Sequence, residues 1–123
     1  MKKILAVDDT DIILELIKQH LEKDGYEVHT SNTADKAMQM ILDDDYDLVL
    51  LDIVMPEKSG IDVLKFIRKN DRNKATPVIM LSAREDMNSI RECLVNGAID
   101  YMTKPFNIVS VKQRIADVFN GAL

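Results

Sequence analysis

The chain has 123 residues, of which 46% are hydrophobic and 30% charged, and its formal net charge is -5. This composition is typical of a single globular domain and excludes a fibrous or disordered chain. The acidic balance, without a block of Lys and Arg, argues against direct binding to nucleic acid. Cys93 is the single cysteine, and the chain contains neither a cleavable signal pattern nor an apolar run of about 18 residues. We therefore expect a cytoplasmic protein that does not associate with a membrane.

Short apolar runs and amphipathic segments alternate along the chain. The runs that predict strands are, in order, 3–7, 27–31, 47–51, 77–81 and 98–102. The second of them alternates in polarity, which indicates an edge strand with Val28 and Thr30 on one face. Helical spacing of apolar residues predicts a helix after each strand, with apolar positions at 13, 16, 17 and 21; 34, 37, 38 and 41; 63, 64 and 67; 90, 93 and 94; 111, 115, 118 and 119.

The residues between these segments are suited to ending and starting helices. Thr10 or Asp9, Thr33 and Ser59 stand where N-caps are needed. Gly25 and Gly97 stand where a left-handed residue closes a helix. The unbroken alternation predicts a parallel sheet with helices on both faces, because each right-handed crossover needs a helix to return the chain. The predicted fold class is therefore α/β, a doubly wound five-stranded parallel sheet with five helices in three layers.

Polar side chains follow the predicted strands at the ends where open parallel sheets bind ligands. In chain order they are Asp8 and Asp9, then Asp52, Ser82 and Lys104. Because the carboxyl ends of parallel strands meet at one edge of a sheet, we expect these side chains to lie close together. Asp52 comes directly after an apolar run, where a charge without partners is costly to bury.

Three neighbouring carboxylates repel one another, and a divalent cation would relieve that repulsion. An all-oxygen donor set favours Mg²⁺, with Mn²⁺ as a substitute in vitro, over zinc or copper. A phosphoryl group at the same place would be neutralised by Lys104 and would accept a hydrogen bond from Ser82. A carboxylate is a competent nucleophile toward phosphorus, and Asp52 is the best candidate for that role.

Each of these residues except Asp52 also has an ordinary structural explanation. Asp8 and Asp9 would serve to cap the first helix, Ser82 would cap the helix that follows it, and Lys104 would be a solvated loop residue. Their combination at successive strand ends is what favours a functional site.

The motifs of the chain resemble those of response-regulator receiver domains. These motifs are, in order, Val7-Asp8-Asp9, Leu51-Asp52-Ile53-Val54-Met55-Pro56, Gly60, Leu81-Ser82-Ala83, Gly97-Ala98 and Tyr101-Met102-Thr103-Lys104-Pro105-Phe106. The resemblance covers essentially the whole chain. It implies one receiver domain over residues 1–123, with the flavodoxin-like strand order 2-1-3-4-5.

The resemblance also implies a metal site and a phosphoacceptor. Asp52 matches the phosphoacceptor and contributes to the metal site. Asp9 matches a direct Mg²⁺ ligand, and Asp8 matches one that acts through water. The main-chain carbonyl of Val54 would complete the protein's ligands.

The remaining roles belong to residues that respond to the phosphoryl group. Ser82 matches the switch hydroxyl, and Tyr101 matches the aromatic residue whose rotamer follows it. Lys104 would pair with phosphoryl oxygens, and its peptide bond to Pro105 matches the family's cis bond.

The implied function is a signalling switch that catalyses only its own phosphorylation and dephosphorylation. A histidine kinase or phosphotransfer protein would donate the phosphoryl group to Asp52. The altered surface near Ser82 and Tyr101 would then act on a downstream protein or an output domain. Either a monomer or a phosphorylation-dependent dimer is compatible with the sequence.

Two other functions remain open from the sequence. Asp9-Thr10-Asp11 is similar to the D-x-D signature of haloacid dehalogenase-type phosphohydrolases, which use an aspartyl nucleophile. That hypothesis leaves Asp52 without a role, and no segment is suited to form a cap over a small substrate. A flavodoxin-like binding module is the third possibility, but clustered carboxylates would repel the phosphate of a flavin.

Overall fold

The computed structural model describes residues 1–122 and shows one parallel sheet of five strands, with helices between them. The strands are β1 (Lys3–Val7), β2 (Glu27–Ser31), β3 (Leu48–Leu51), β4 (Val78–Ser82) and β5 (Asp100–Thr103). The helices are α1 (Asp11–Lys23), α2 (Ala34–Asp43), α3 (Gly60–Lys69), α4 (Met87–Val95) and α5 (Ile108–Phe119). The strand order β2-β1-β3-β4-β5 confirms the predicted fold class and places β2 at an edge.

The largest difference from the predicted elements is at β5, which begins two residues later than expected. Gly97 has a φ of 98°, and the N–H of Ala98 donates to the carbonyl of Cys93 at 3.0 Å. Both residues therefore close helix α4 and are not free to start the strand.

The central strand β3 is buried on both faces, which explains its continuous apolar sequence. Leu48 and Leu50 pack on the side of α1 and α5, whereas Val49 and Leu51 pack on the side of α2, α3 and α4. All four side chains are at most 1% exposed. Burial of each such side chain contributes roughly 1.5–3 kcal/mol, so the strand that directly precedes Asp52 is firmly held.

Asn73, in the loop after α3, holds the turn that leads into β3. Its side chain is 1% exposed, accepts a hydrogen bond from the N–H of Tyr46 at 2.9 Å, and donates to the carbonyls of Ile41 and Asp44 at 2.8 and 2.9 Å. These bonds satisfy buried main-chain groups at the end of α2 and the approach to β3.

Two of the predicted N-caps accept hydrogen bonds through their side chains, whereas Thr10, at the N-cap position of α1, makes no side-chain cap bond. Thr33 accepts from the N–H of Lys36 at 3.2 Å, and Ser59 forms a capping box with Asp62 at the start of α3. Within residues 1–122, no helix has the length and hydropathy needed to cross a bilayer.

Candidate functional site

Three carboxylates meet at the carboxyl edge of the sheet. Asp8 and Asp9 directly follow β1, and Asp52 directly follows β3, the neighbouring strand. One oxygen from each lies within 4.8 Å of the others. Asp8 and Asp52 are 3% and 4% exposed, whereas Asp9 is open to solvent. The strand ends that the sequence singled out therefore converge in space.

Lys104, in the loop after β5, lies between the two buried carboxylates. Its Nζ donates to Oδ2 of Asp8 at 2.6 Å and to Oδ2 of Asp52 at 2.9 Å. Burial lowers the pKa of Lys104, but the hydrogen bonds that it donates to both carboxylates outweigh this effect, so the pKa lies above its ordinary value of 10.5. The ammonium is therefore charged at neutral pH. The peptide bond from Lys104 to Pro105 is cis.

Main-chain donors hold the second oxygen of each buried carboxylate. Oδ1 of Asp8 accepts from the N–H of Thr10 at 2.9 Å, and Oδ1 of Asp52 accepts from the N–H of Val54 at 3.2 Å. Each carboxylate is thus fixed by one main-chain bond and by Lys104. The Val54 side chain is 50% exposed at the rim of the site.

The donor set of this edge fits Mg²⁺. The cluster holds three carboxylates, and the one ammonium contacts two of them, so an excess of negative charge remains that a divalent cation would neutralise. All candidate ligands are oxygens, which magnesium prefers, and the exposed Asp9 leaves a path for the ion and its waters.

Gly60, the first residue of α3, passes against the main chain that carries the Asp52 side chain. A Cβ at this position would overlap the carbonyl oxygen of Asp52 and would lie 2.9 Å from Cα of Ile53. The N–H of Gly60 also donates to the carbonyl of Ile53 at 2.8 Å. Only glycine permits this approach, so Gly60 sets the path of the loop behind Asp52.

A Gly60→Ala variant is expected to lose about 2–4 kcal/mol of unfolding free energy, because main-chain atoms must move to admit the methyl group. Urea unfolding measures this loss. Gly25→Ala is the matched control: its Cβ would meet no atom within 4 Å, leaving only the cost of a φ of 90°, about 1–2 kcal/mol. Equal losses in the two variants would contradict the steric argument.

Ser82 and Tyr101 lie on the adjacent strands β4 and β5. Ser82 is 0% exposed, and its Oγ accepts from the N–H of Arg84 at 3.3 Å. The hydroxyl of Tyr101 donates to the carbonyl of Arg84 at 2.5 Å, and burial raises the pKa of that hydroxyl. The main chain of Arg84 therefore joins the two residues, a link that the sequence does not signal because every residue carries these groups.

Residues 4–116 match the family model described as the response regulator receiver domain. The chain belongs to this family.

Curated relatives of this receiver domain are longer proteins. The transcriptional regulatory protein CpxR of Escherichia coli K12 is 44% identical over 115 residues, which are 94% of this chain and 48% of CpxR. The transcriptional regulatory protein SrrA of Staphylococcus aureus NCTC 8325 is 36% identical over 113 residues, 92% of this chain and 46% of SrrA. The receiver domain thus spans about half the length of these relatives.

Solved structures of similar proteins share the fold over nearly the whole chain. A CheY-like receiver domain protein from Methanospirillum hungatei JF-1 is 30% identical with a TM-score of 0.94, covering 99% of this chain and 96% of that one. The response regulator TrrA from Thermotoga maritima is 36% identical with a TM-score of 0.84, covering 96% and 99%. That structure is a complex with Mg²⁺ and BeF.

Proposed function

We propose that this receiver domain, taken as residues 1–123, accepts a phosphoryl group on Asp52 from a histidine kinase or phosphotransfer protein, with Mg²⁺ bound beside it. The observation that carries the proposal is the Lys104 ammonium, which contacts both buried carboxylates, Asp8 and Asp52. A partly buried lysine shared by two buried acids at a sheet edge is suited to a site that binds both a cation and a phosphoryl anion.

In the proposed reaction, an oxygen of Asp52 attacks phosphorus and forms an acyl phosphate. The bond from phosphorus to the donor breaks, and its electron pair stays with the donor. Lys104 pairs with a phosphoryl oxygen, and the Ser82 hydroxyl donates to another. The Lys104 contact replaces its bond to Asp52, and Oγ of Ser82, which accepts from the N–H of Arg84 before phosphorylation, moves toward the phosphoryl group.

The residues that would hold Mg²⁺ are the carboxylates of Asp8, Asp9 and Asp52 and the main-chain carbonyl of Val54. Asp8 is expected to act through water. When bound, the ion supplies positive charge that the single lysine cannot provide to three carboxylates and a phosphoryl group. Mn²⁺ is expected to substitute in vitro.

An apolar groove beside the site fits a protein donor. It has a volume of about 450 Å³ and opens next to Lys104, and its other lining residues are Ile13, Leu16, Ala83, Pro105 and Phe106. On α1, Leu16 and the neighbouring Ile12 are 39% and 79% exposed. A donor that covers these side chains while presenting its phosphoryl group to Asp52 would gain affinity from apolar burial.

The output of the proposed switch is a change of surface near Ser82 and Tyr101. The two states differ in which groups the Ser82 hydroxyl contacts, and a partner that prefers one state shifts the population. That partner would be a cytoplasmic protein target or an output domain, and a phosphorylation-dependent dimer is one form such a complex would take. The switch catalyses only its own phosphorylation and dephosphorylation.

The phosphohydrolase alternative receives less support from the geometry. Within residues 1–122, the three-carboxylate cluster consists of Asp8, Asp9 and Asp52, and Asp11 is not part of it. Asp11 instead accepts a hydrogen bond from the side chain of Asn32 at 3.1 Å. The second acid of the D-x-D signature is therefore directed to another contact.

Incubation with acetyl phosphate and Mg²⁺, followed by intact mass measurement and peptide mapping, tests the proposal. We expect one phosphoryl group per chain, on Asp52, and no incorporation when EDTA removes the metal. Sustained hydrolysis of phosphomonoesters that requires Asp9 and Asp11 but not Asp52 would support the hydrolase instead.

A further inference from the structure

Arg84 lies two residues beyond the end of β4, and each of its polar parts contacts a different part of the switch region. Its N–H donates to Oγ of Ser82 at 3.3 Å, and its carbonyl accepts from Tyr101 at 2.5 Å. Its guanidinium Nε donates to Oδ1 of Asp86 at 3.2 Å. One residue thus joins the switch hydroxyl and the switch aromatic residue to the residue that precedes α4.

Asp86 is the N-cap of α4. Its Oδ2 accepts from the N–H of Ser89 at 3.0 Å, and its main-chain carbonyl accepts from the N–H of Ile90 at 3.2 Å. Hydrogen bonds with Ser89 lower the pKa of Asp86 to about 2. The same carboxylate therefore stays charged at neutral pH while it holds both Arg84 and the first turn of α4.

The Arg84 and Asp86 side chains are 50% and 48% exposed, so their ion pair contributes little to the stability of the fold. The position of the ion pair, and not its strength, indicates a role in coupling. The pair spans the short segment between the end of β4 and the start of α4. Through it, the Arg84 side chain directly contacts Asp86, the N-cap of α4.

We propose that Arg84 is a positioning residue that couples the Ser82 hydroxyl to the N-terminus of α4. The inference rests on the proposed phosphorylation of Asp52. When the Ser82 side chain changes rotamer and its Oγ moves toward the phosphoryl group, the N–H of Arg84 loses its acceptor and the segment between β4 and α4 is free to shift. The contact between the guanidinium and the Asp86 carboxylate then changes. The hydrogen bond that Asp86 accepts from the first turn of α4 changes as a result.

Amide hydrogen exchange at Ser89 and Ile90, measured by NMR with and without phosphorylation, tests the coupling. In the wild-type protein, phosphorylation is expected to change these rates. The change should be about two- to fivefold smaller in Arg84→Ala and in Asp86→Asn, the range that an exposed ion pair supports. Asparagine remains a good N-cap, so Asp86→Asn removes the charge while keeping the cap.

Arg84→Lys is expected to restore part of the response, because a cation returns to the same place. Arg91→Ala is the matched control: Arg91 is exposed on α4 and forms no ion pair within the described residues 1–122. It should respond like the wild type. A purely structural role of Arg84 would change the rates in both states equally and leave their difference intact.

Two outcomes separate this inference from the proposed function. If Asp52 takes up no phosphoryl group, the proposed function is overturned and the inference with it. If every variant is phosphorylated to the wild-type level, and Ser89 responds equally in all of them or in none, the coupling through Arg84 alone is overturned.

Discussion

An Asp52→Asn variant is expected to incorporate no phosphoryl group from acetyl phosphate, because an amide is not a competent nucleophile toward phosphorus. The fold should survive the change. The new amide has one acceptor oxygen where the carboxylate has two, so the hydrogen bond donated by either Lys104 or the N–H of Val54 is lost. The change also removes one of three mutually repelling charges. These opposing effects are each about 1 kcal/mol, so the free energy of unfolding without metal should change by no more than about 1 kcal/mol.

The same variant should lose most of its stabilisation by Mg²⁺. A ligand at ten times its Kd stabilises the folded state by about 1.4 kcal/mol. Urea unfolding with and without Mg²⁺ measures this difference. Asp71→Asn is the matched control, since Asp71 is an exposed aspartate in the loop after α3. Full incorporation into Asp52→Asn, at any other residue, would contradict the assignment of the phosphoacceptor.

A Lys104→Met variant is expected to lose both stability and the capacity for rapid phosphorylation. Methionine fills similar space but leaves the buried Asp8 and Asp52 carboxylates without their shared cation. Removing one partner of a buried pair costs roughly 3–5 kcal/mol, and we expect about 3 kcal/mol because the Lys104 side chain is itself 16% exposed. Loss of its charge near the transferred group should slow phosphorylation by about 10²–10³-fold.

Urea unfolding and the rate of phosphorylation at saturating Mg²⁺ measure the two effects separately. Mg²⁺ should restore part of the lost stability, because it supplies positive charge to the same carboxylates, but it should not restore the rate. Lys65→Met is the matched control, an exposed lysine on α3. A Lys104→Met protein with stability and rate close to those of Lys65→Met would show that the ammonium has neither role.

Local patterns in the sequence were sufficient to predict how strands and helices alternate along the chain. The apolar run that becomes β3 is continuous because both of its faces are buried, and Thr33 and Ser59 cap helices through bonds to residues two or three positions away. The least accurate prediction, the start of β5, depends on a contact between Ala98 and Cys93 that closes α4. Apolarity alone does not distinguish a residue used in that turn from one used in the strand.

The candidate site residues were also found from the sequence, because the strands of a parallel sheet deliver whatever follows them to one edge. Which atoms meet there was decided by the tertiary structure. Lys104 is 96 residues from Asp8 and 52 from Asp52, and no local pattern joins them. Their distances follow from how β1, β3 and β5 are ordered and packed.

Main-chain partners are the other part that only the tertiary structure determined. Arg68 shows this most clearly: its guanidinium donates to the carbonyls of Lys74, Thr76 and Gly97, and so ties α3 to the turn before β5. The same holds for Asn73 and for the main chain of Arg84. A sequence specifies side chains at each position, but every residue offers the same main-chain carbonyl, and every residue except proline the same N–H. Only packing decides which of them a given side chain reaches.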